Sequence, residues 1–156
     1  MKMALGSDSR SNLTDTIIEY LEQKGVEPIR YGALAGKETD YVDAAKEVAE
    51  TVVRGDCEQG LLFCNTGTGV TIIANKVPGA RAALCVDSYS AKIARLANNA
   101  NVLVLSVRLT GEILAKEIVD AWLETSPSTE LRRMNFHRKT DEVDRQFRKD
   151  DSFATD

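Results

Sequence analysis

The sequence predicts an α/β fold, a doubly wound sheet of five parallel strands followed by a charged C-terminal arm. Two observations predict it. Short apolar runs alternate with longer stretches whose apolar residues recur every three or four positions, and glycines stand where helices should stop.

The elements follow in order. Met3 to Gly6 begins the first strand, and Leu13, Ile17, Ile18 and Leu21 then recur at helical spacing until Gly25 ends that helix. Val26 to Tyr31 is the second strand. Val42, Ala45, Val48, Ala49 and Val52 form the stripe of a second helix, with Gly55 beyond it. Leu61 to Cys64 is the third strand, and Gly69 to Lys76 reads as a short helix. Arg81 to Val86, Ser88 to Asn98, Val102 to Leu105 and Ile113 to Leu123 complete the alternation, the last including Trp122. Such a chain makes a Rossmann-like three-layer sandwich with right-handed crossovers, and ligands collect beyond the carboxyl ends of its strands. Asp8, Cys64, Asp87 and Ser106 fall at such ends.

Two regions are expected: an α/β domain over residues 1–126, and an arm over residues 127–156 that begins at Pro127 and is rich in charge. Leu131, Met134, Val143 and Phe147 are too sparse to build a core, so the arm reads as a helix that is either solvated or docked on a partner subunit, with its last few residues frayed.

Composition excludes several classes. A net charge of −4 carries no nucleic-acid footprint, and no membrane span or signal peptide is visible. The cysteines at positions 57, 64 and 85 have neither metal-ligand spacing nor an even count for a disulfide framework, which suits a reducing cytoplasm and argues for no bound metal.

Chemistry concentrates between Leu61 and Ala83. Cys64 ends a buried strand, Gly67 and Gly69 permit a tight turn, and the helix that follows points its free N–H groups at the loop, a setting that stabilises an anion or a thiolate. Most free cysteines simply pack, and Cys57 and Cys85 are read that way.

The blocks ALGSD, DYVDAAKEVA, CNTGTGVTIIANKVPGARAALC, YSAKIAR and NNANVLVLS, spread from Met3 to Trp122, resemble the type B ribose-5-phosphate isomerases and the related galactose-6-phosphate isomerase subunits. The resemblance implies a cofactor-independent aldose-ketose isomerisation through a cis-enediolate. It makes Cys64 the general base and Thr66 the hydroxyl that orients or deprotonates it. Backbone amides over Gly67, Thr68, Gly69 and Val70 would form the anion hole, with Thr71 where the family commonly has Ser. Where some relatives carry a glutamate base this chain has Val70, so the cysteine version is retained. Asp8 would contact substrate hydroxyls, Asn98 a substrate oxygen, and Tyr41 would line the site. The competing readings are an N-cap for Asp8 and a C-cap for Asn98. Asn75, Lys76 and Pro78 are read as helix termination and turn chemistry.

Departures from the family bear on the substrate. Ser9 and Ala97 stand where the family has histidines, the second of which opens the sugar ring. An open-chain substrate such as a tetrulose 4-phosphate escapes that need, because its O4 is esterified. Phosphate recognition would use Arg108, in SVR where the family has GGR, with Arg133 and His137 where it has two arginines four apart. The resemblance implies a homodimer or dimer of dimers with a shared active site. The reading is thus a ribose 5-phosphate type isomerase. Its rivals are an isomerase of an open-chain sugar phosphate, a non-catalytic sugar-phosphate binding subunit, and a thiol redox protein, which the absence of CxxC disfavours.

Overall fold

Alternate residues of the central strands serve opposite layers, so a strand buried on both faces must be apolar throughout. That is the pattern of Leu61, Leu62 and Phe63 and of Val102 to Leu105, all fully buried. A computed structural model describes residues 1–148. The expectation that the arm's last residues fray falls on 149–156, outside the described residues. The strands are β1 (Lys2–Ser7), β2 (Glu27–Gly32), β3 (Gln59–Cys64), β4 (Ala82–Leu84) and β5 (Val102–Ser106). The helices are α1 (Asn12–Gln23), α2 (Tyr41–Arg54), α3 (Thr68–Ala74), α4 (Ser88–Asn98), α5 (Glu112–Glu124) and α6 (Leu131–Arg148), with a 3₁₀ turn at Ala33–Ala35.

All strand pairs are parallel, in the order β2-β1-β3-β5-β4. Steps toward the β2 edge run through α1 and α4 on one face, and steps the other way run through α2 and α3 on the opposite face, as a single crossover hand requires. One core layer joins Met3, Leu5, Leu61, Phe63, Leu103 and Leu105 to α1, α4 and α5. The other joins Ala4, Leu62, Val102 and Val104 to α2 and α3. Trp122 is fully buried, its indole N–H donating to Gln59 Oε1 at 2.6 Å. Neighbouring β1 and β3 send their chains in opposite directions, so the topological switch point lies between them.

The element order is the expected one, with local differences. The fourth strand is shorter than Arg81 to Val86, and the helix after the glycine loop closes at Ala74, because Lys76 and Val77 donate to Ile73 and Ala74 in tight i to i−3 turns. β4 lies at the sheet edge, where the Asn75 side chain takes the place of a strand. Its Oδ1 accepts from Ala82 N at 2.9 Å, and its Nδ2 donates to Ala82 O at 2.9 Å and Thr71 O at 3.0 Å. Asn75 is therefore an edge cover more than a helix stop.

α6 lies on its own chain's body. Arg81 Nη1 donates to Asp141 Oδ1 at 2.7 Å, Gly79 N donates to Asp144 Oδ2 at 3.1 Å, and His137 Nε2 lies 2.9 Å from Ala97 O. The face that docks is the polar one. Phe136, Val143 and Phe147, spaced along an adjoining stripe, remain exposed.

Candidate active site

The residues proposed from sequence separate into two groups at opposite ends of the sheet. Asp8, Ser9, Tyr41, the Cys64–Thr71 loop and Arg108 lie at the carboxyl ends of the strands. Asn98, Arg133 and His137 lie at the other end, where α4 meets α6. The five residues of β5 separate Asn98 from Arg108, and at about 3.3 Å per residue that is roughly 17 Å.

Cys64 ends β3 opposite Ser106 of β5, and its side chain is half-buried. The loop beyond it is held by the neighbouring turn. Val107 N donates to Cys64 O at 2.9 Å, Arg108 N donates to Asn65 O at 3.2 Å, and Ser106 Oγ donates to Asn65 O at 2.7 Å. Gly67 follows at φ 82°, the left-handed region, and a Cβ there would stand 2.5 Å from Leu84 Cδ1, so glycine is required twice over. Gly69 is needed for a different reason. The Tyr41 ring lies against it so closely that a Cβ would be 2.9 Å from Tyr41 Cε2, which seats the tyrosine over the start of α3.

The hydroxyls are arranged differently from the expectation. Thr66 Oγ1 pairs with Thr68 Oγ1 at 2.8 Å and accepts from Thr68 N at 3.4 Å; it makes no hydrogen bond to the Cys64 thiol. Thr71 Oγ1 donates to Gly67 O at 2.6 Å, tying the first turn of α3 to the loop. The Val70 side chain is fully buried in the core, which leaves only its N–H available to a ligand. The N–H groups of Gly69 and Val70, in the first turn of α3, have no acceptor among the described residues.

Asp8 is exposed, two residues past the Gly6–Leu62 pair and hence level with Cys64 on the adjacent strand. It does not cap α1. Ser11 does, accepting from Thr14 N while the Thr14 hydroxyl accepts from Ser11 N at 2.9 Å. Ser7 is buried and its hydroxyl accepts from Ser9 N at 3.2 Å, fixing the Asp8–Ser9 turn. Asn98 likewise is not the C-cap of α4. Asn99 is, at φ 51°. Both residues proposed for substrate contact are thus relieved of the competing structural duty.

At the opposite end two hollows share Ala97, Asn98 and Phe136. One, of about 440 Å³, is lined also by Glu130, Arg132 and Arg133; the other, of about 340 Å³, by Arg81, His137 and Thr140 among others. Arg133 Nε lies 3.4 Å from Glu130 Oε2. That His137 would rest on the backbone of Ala97 had no signal in the sequence, because 40 residues separate them. Burial pushes the Cys85 thiol up to about 11, the Ser90 hydroxyl opposing weakly, and Cys57 is also raised by desolvation. Both packing cysteines are thus poor nucleophiles. Among the described residues no cluster of His, Cys, Asp or Glu could hold a metal ion, and no helix is long and apolar enough to cross a membrane.

The sequence model of the ribose/galactose isomerase family matches residues 3–140. The D-erythrulose-4-phosphate isomerase of Pectobacterium atrosepticum is 44% identical over 126 residues, 80% of this chain and 83% of that one. Ribose-5-phosphate isomerase B of Escherichia coli is 43% identical over 123 residues, 78% and 83% of the two chains. The structure of Clostridium thermocellum ribose-5-phosphate isomerase B superposes with a TM-score of 0.87 at 40% identity, covering 94% of this chain and 99% of the other. Matched in sequence over most of its length and in fold over nearly all of it, the chain belongs to the ribose/galactose isomerase family and is an aldose-ketose isomerase.

Proposed function

We propose that the chain interconverts an aldose and a ketose phosphate by moving one proton between adjacent carbons, with Cys64 as the base. The observation that carries this reading is the placement of a half-buried thiol at the switch point, beside a glycine turn whose following amides lack acceptors. As thiolate, Cys64 takes the C–H proton next to the carbonyl, and the electron pair moves into an enediolate. The N–H groups of Gly69 and Val70 face the loop where negative charge develops on oxygen. Delivery of a proton from the thiol, the original one or one exchanged with solvent, to the neighbouring carbon, with the hydroxyl proton passing between O2 and O1, completes the isomerisation. Asp8, level with Cys64 across the crevice, hydrogen-bonds substrate hydroxyls, with Ser9 beside it, Tyr41 as a wall and Thr66, Thr68 and Thr71 holding the loop.

Asn98, Arg133 and His137 cannot reach the Cys64 loop of their own chain, so they serve a second copy's loop, with Arg108 contributing from the loop's own side. A homodimer with two shared sites follows, each chain giving one end to each site. Isomerisation followed by proton NMR in deuterated water tests the chemistry. Wild type should exchange the substrate's transferred proton and Cys64→Ala should not; equal exchange by both would remove Cys64 as base. Mixing Cys64→Ala with Asn98→Ala chains tests sharing, since hybrid dimers hold one intact site and should regain activity that neither variant has alone.

A second reading of the substrate is favoured by Ala97. Methyl and backbone stand where ring opening would need a proton donor and acceptor, and an open-chain tetrulose 4-phosphate needs neither. Comparing kcat/KM for ribose 5-phosphate and erythrulose 4-phosphate decides; preference for the five-carbon sugar would discard it.

A further inference from the structure

The chain has one histidine, His137, and α6 holds its ring over the last turn of α4, with Nε2 2.9 Å from Ala97 O. A carbonyl oxygen can only accept, so this contact requires a proton on Nε2, and in the neutral ring it leaves the Nδ1 lone pair free. The ring has no other hydrogen-bond partner among the described residues. It lines the smaller hollow beside Asn98, Asn75 and Thr140, whose groups are neutral. Among the described residues that line it, Arg81 is the one permanent cation, already has the Asp141 carboxylate at 2.7 Å, and is joined by no carboxylate. Arg132 and Arg133 belong to the other hollow, across Phe136.

The two hollows therefore differ in what they can recognise. Guanidinium groups supply the forked donors that suit phosphate. Neutral donors and acceptors suit hydroxyls. We propose that His137 is a specificity residue that accepts a hydrogen bond from a substrate hydroxyl through Nδ1, its tautomer set by the Ala97 carbonyl, while the Arg132–Arg133 hollow holds the phosphate. His137 is then no anion ligand, although it occupies the position at which the sequence suggests one. One helical turn, about 6 Å along the axis, separates Arg133 from His137, so the hydroxyl it reads stands a few bonds from the phosphate ester. The ligand named here rests on the isomerase reading; the tautomer does not.

The single histidine makes the test direct. In protein labelled with ¹⁵N at histidine, a long-range proton–nitrogen spectrum at pH 8 should show a protonated Nε2 and a pyridine-like Nδ1. Inorganic phosphate should leave both unchanged, and ribose 5-phosphate or erythrulose 4-phosphate should shift Nδ1 while it stays pyridine-like. A protonated Nδ1 in the free protein, an imidazolium formed on adding inorganic phosphate, or no response to either sugar phosphate would each overturn the proposal. In kinetics, His137→Gln should lower kcat/KM roughly tenfold and leave competitive inhibition by inorganic phosphate unchanged, whereas Arg133→Gln should weaken that inhibition. His137→Arg separates the roles. Activity equal to or above wild type would mean that a cation serves there and would sink the hydroxyl assignment. The isomerase reading fails by a different sign, exchange that survives Cys64→Ala, and the spectrum with inorganic phosphate is read in either case.

Discussion

Gly67 and Gly25 carry almost the same backbone strain, at φ 82° and 76°, yet they differ in surroundings: a Cβ at Gly25 would meet nothing within 4 Å. Gly25→Ala should therefore cost about 1 kcal/mol from the left-handed backbone alone. Gly67→Ala should cost about 1–3 kcal/mol more through the clash with Leu84, and should lose activity beyond what stability explains, since the loop carries Cys64. Urea denaturation and turnover on the two variants check this. Cys85 gives a pH prediction. Its folded value, raised by burial to about 11 from 9.0, exceeds the unfolded one, so the fold prefers the neutral thiol. Its contribution is full below about pH 9 and is lost as pH rises through about 11, at most about 2–3 kcal/mol. Denaturation at pH 8 and pH 10.5 should show a steeper fall for wild type than for Cys85→Ala. At this scale the position of Cys64 was legible, because an apolar strand precedes it and the Gly67 turn follows it. Asp8 and Asn98 each had a second use as caps, and choosing between uses needed the positions of Ser11 and Asn99, neighbours equally able to cap.

Apolar patterning exposed the strands and the helices of the α/β domain, because buried faces impose it. What escaped were features made by single contacts between distant segments. The 3₁₀ turn at Ala33–Ala35 buries only Leu34 and so has no period to read. The end of β4 depends on side chains outside the strand, Asn75 on its outer edge and Asn101, whose Oδ1 accepts from Arg81 N at 2.7 Å. Asn75→Ala should strip the edge of the side-chain partners that Asn75 supplies, costing about 1–3 kcal/mol and making the protein more prone to edge-to-edge association. Denaturation midpoints and light scattering under mild heating measure the two effects. The arm posed the reverse problem. Its helix was legible, but its orientation was not, since the face that docks on the body is polar and the apolar stripe points away.

For the molecule as a whole, the proposed shared site also accounts for that stripe. Phe136, Val143 and Phe147 are exposed on the same helix that carries Arg133 and His137, and a second copy of the chain would cover the stripe while receiving those side chains. Val143→Glu should leave the circular dichroism spectrum unchanged, weaken self-association in sedimentation, and make specific activity fall on dilution. Arg81 and Gly79 hold α6 through Asp141 and Asp144, so Arg133, His137 and Asn98 have their mutual geometry before any second chain arrives. In the proposed dimer, association would join two finished pieces, with the ordering entropy of the arm spent at folding and not at binding. Under the proposed sharing, the same anchoring would make faults travel between chains: a copy with Arg81→Ala would keep a sound Cys64 loop and slow the one belonging to its neighbour.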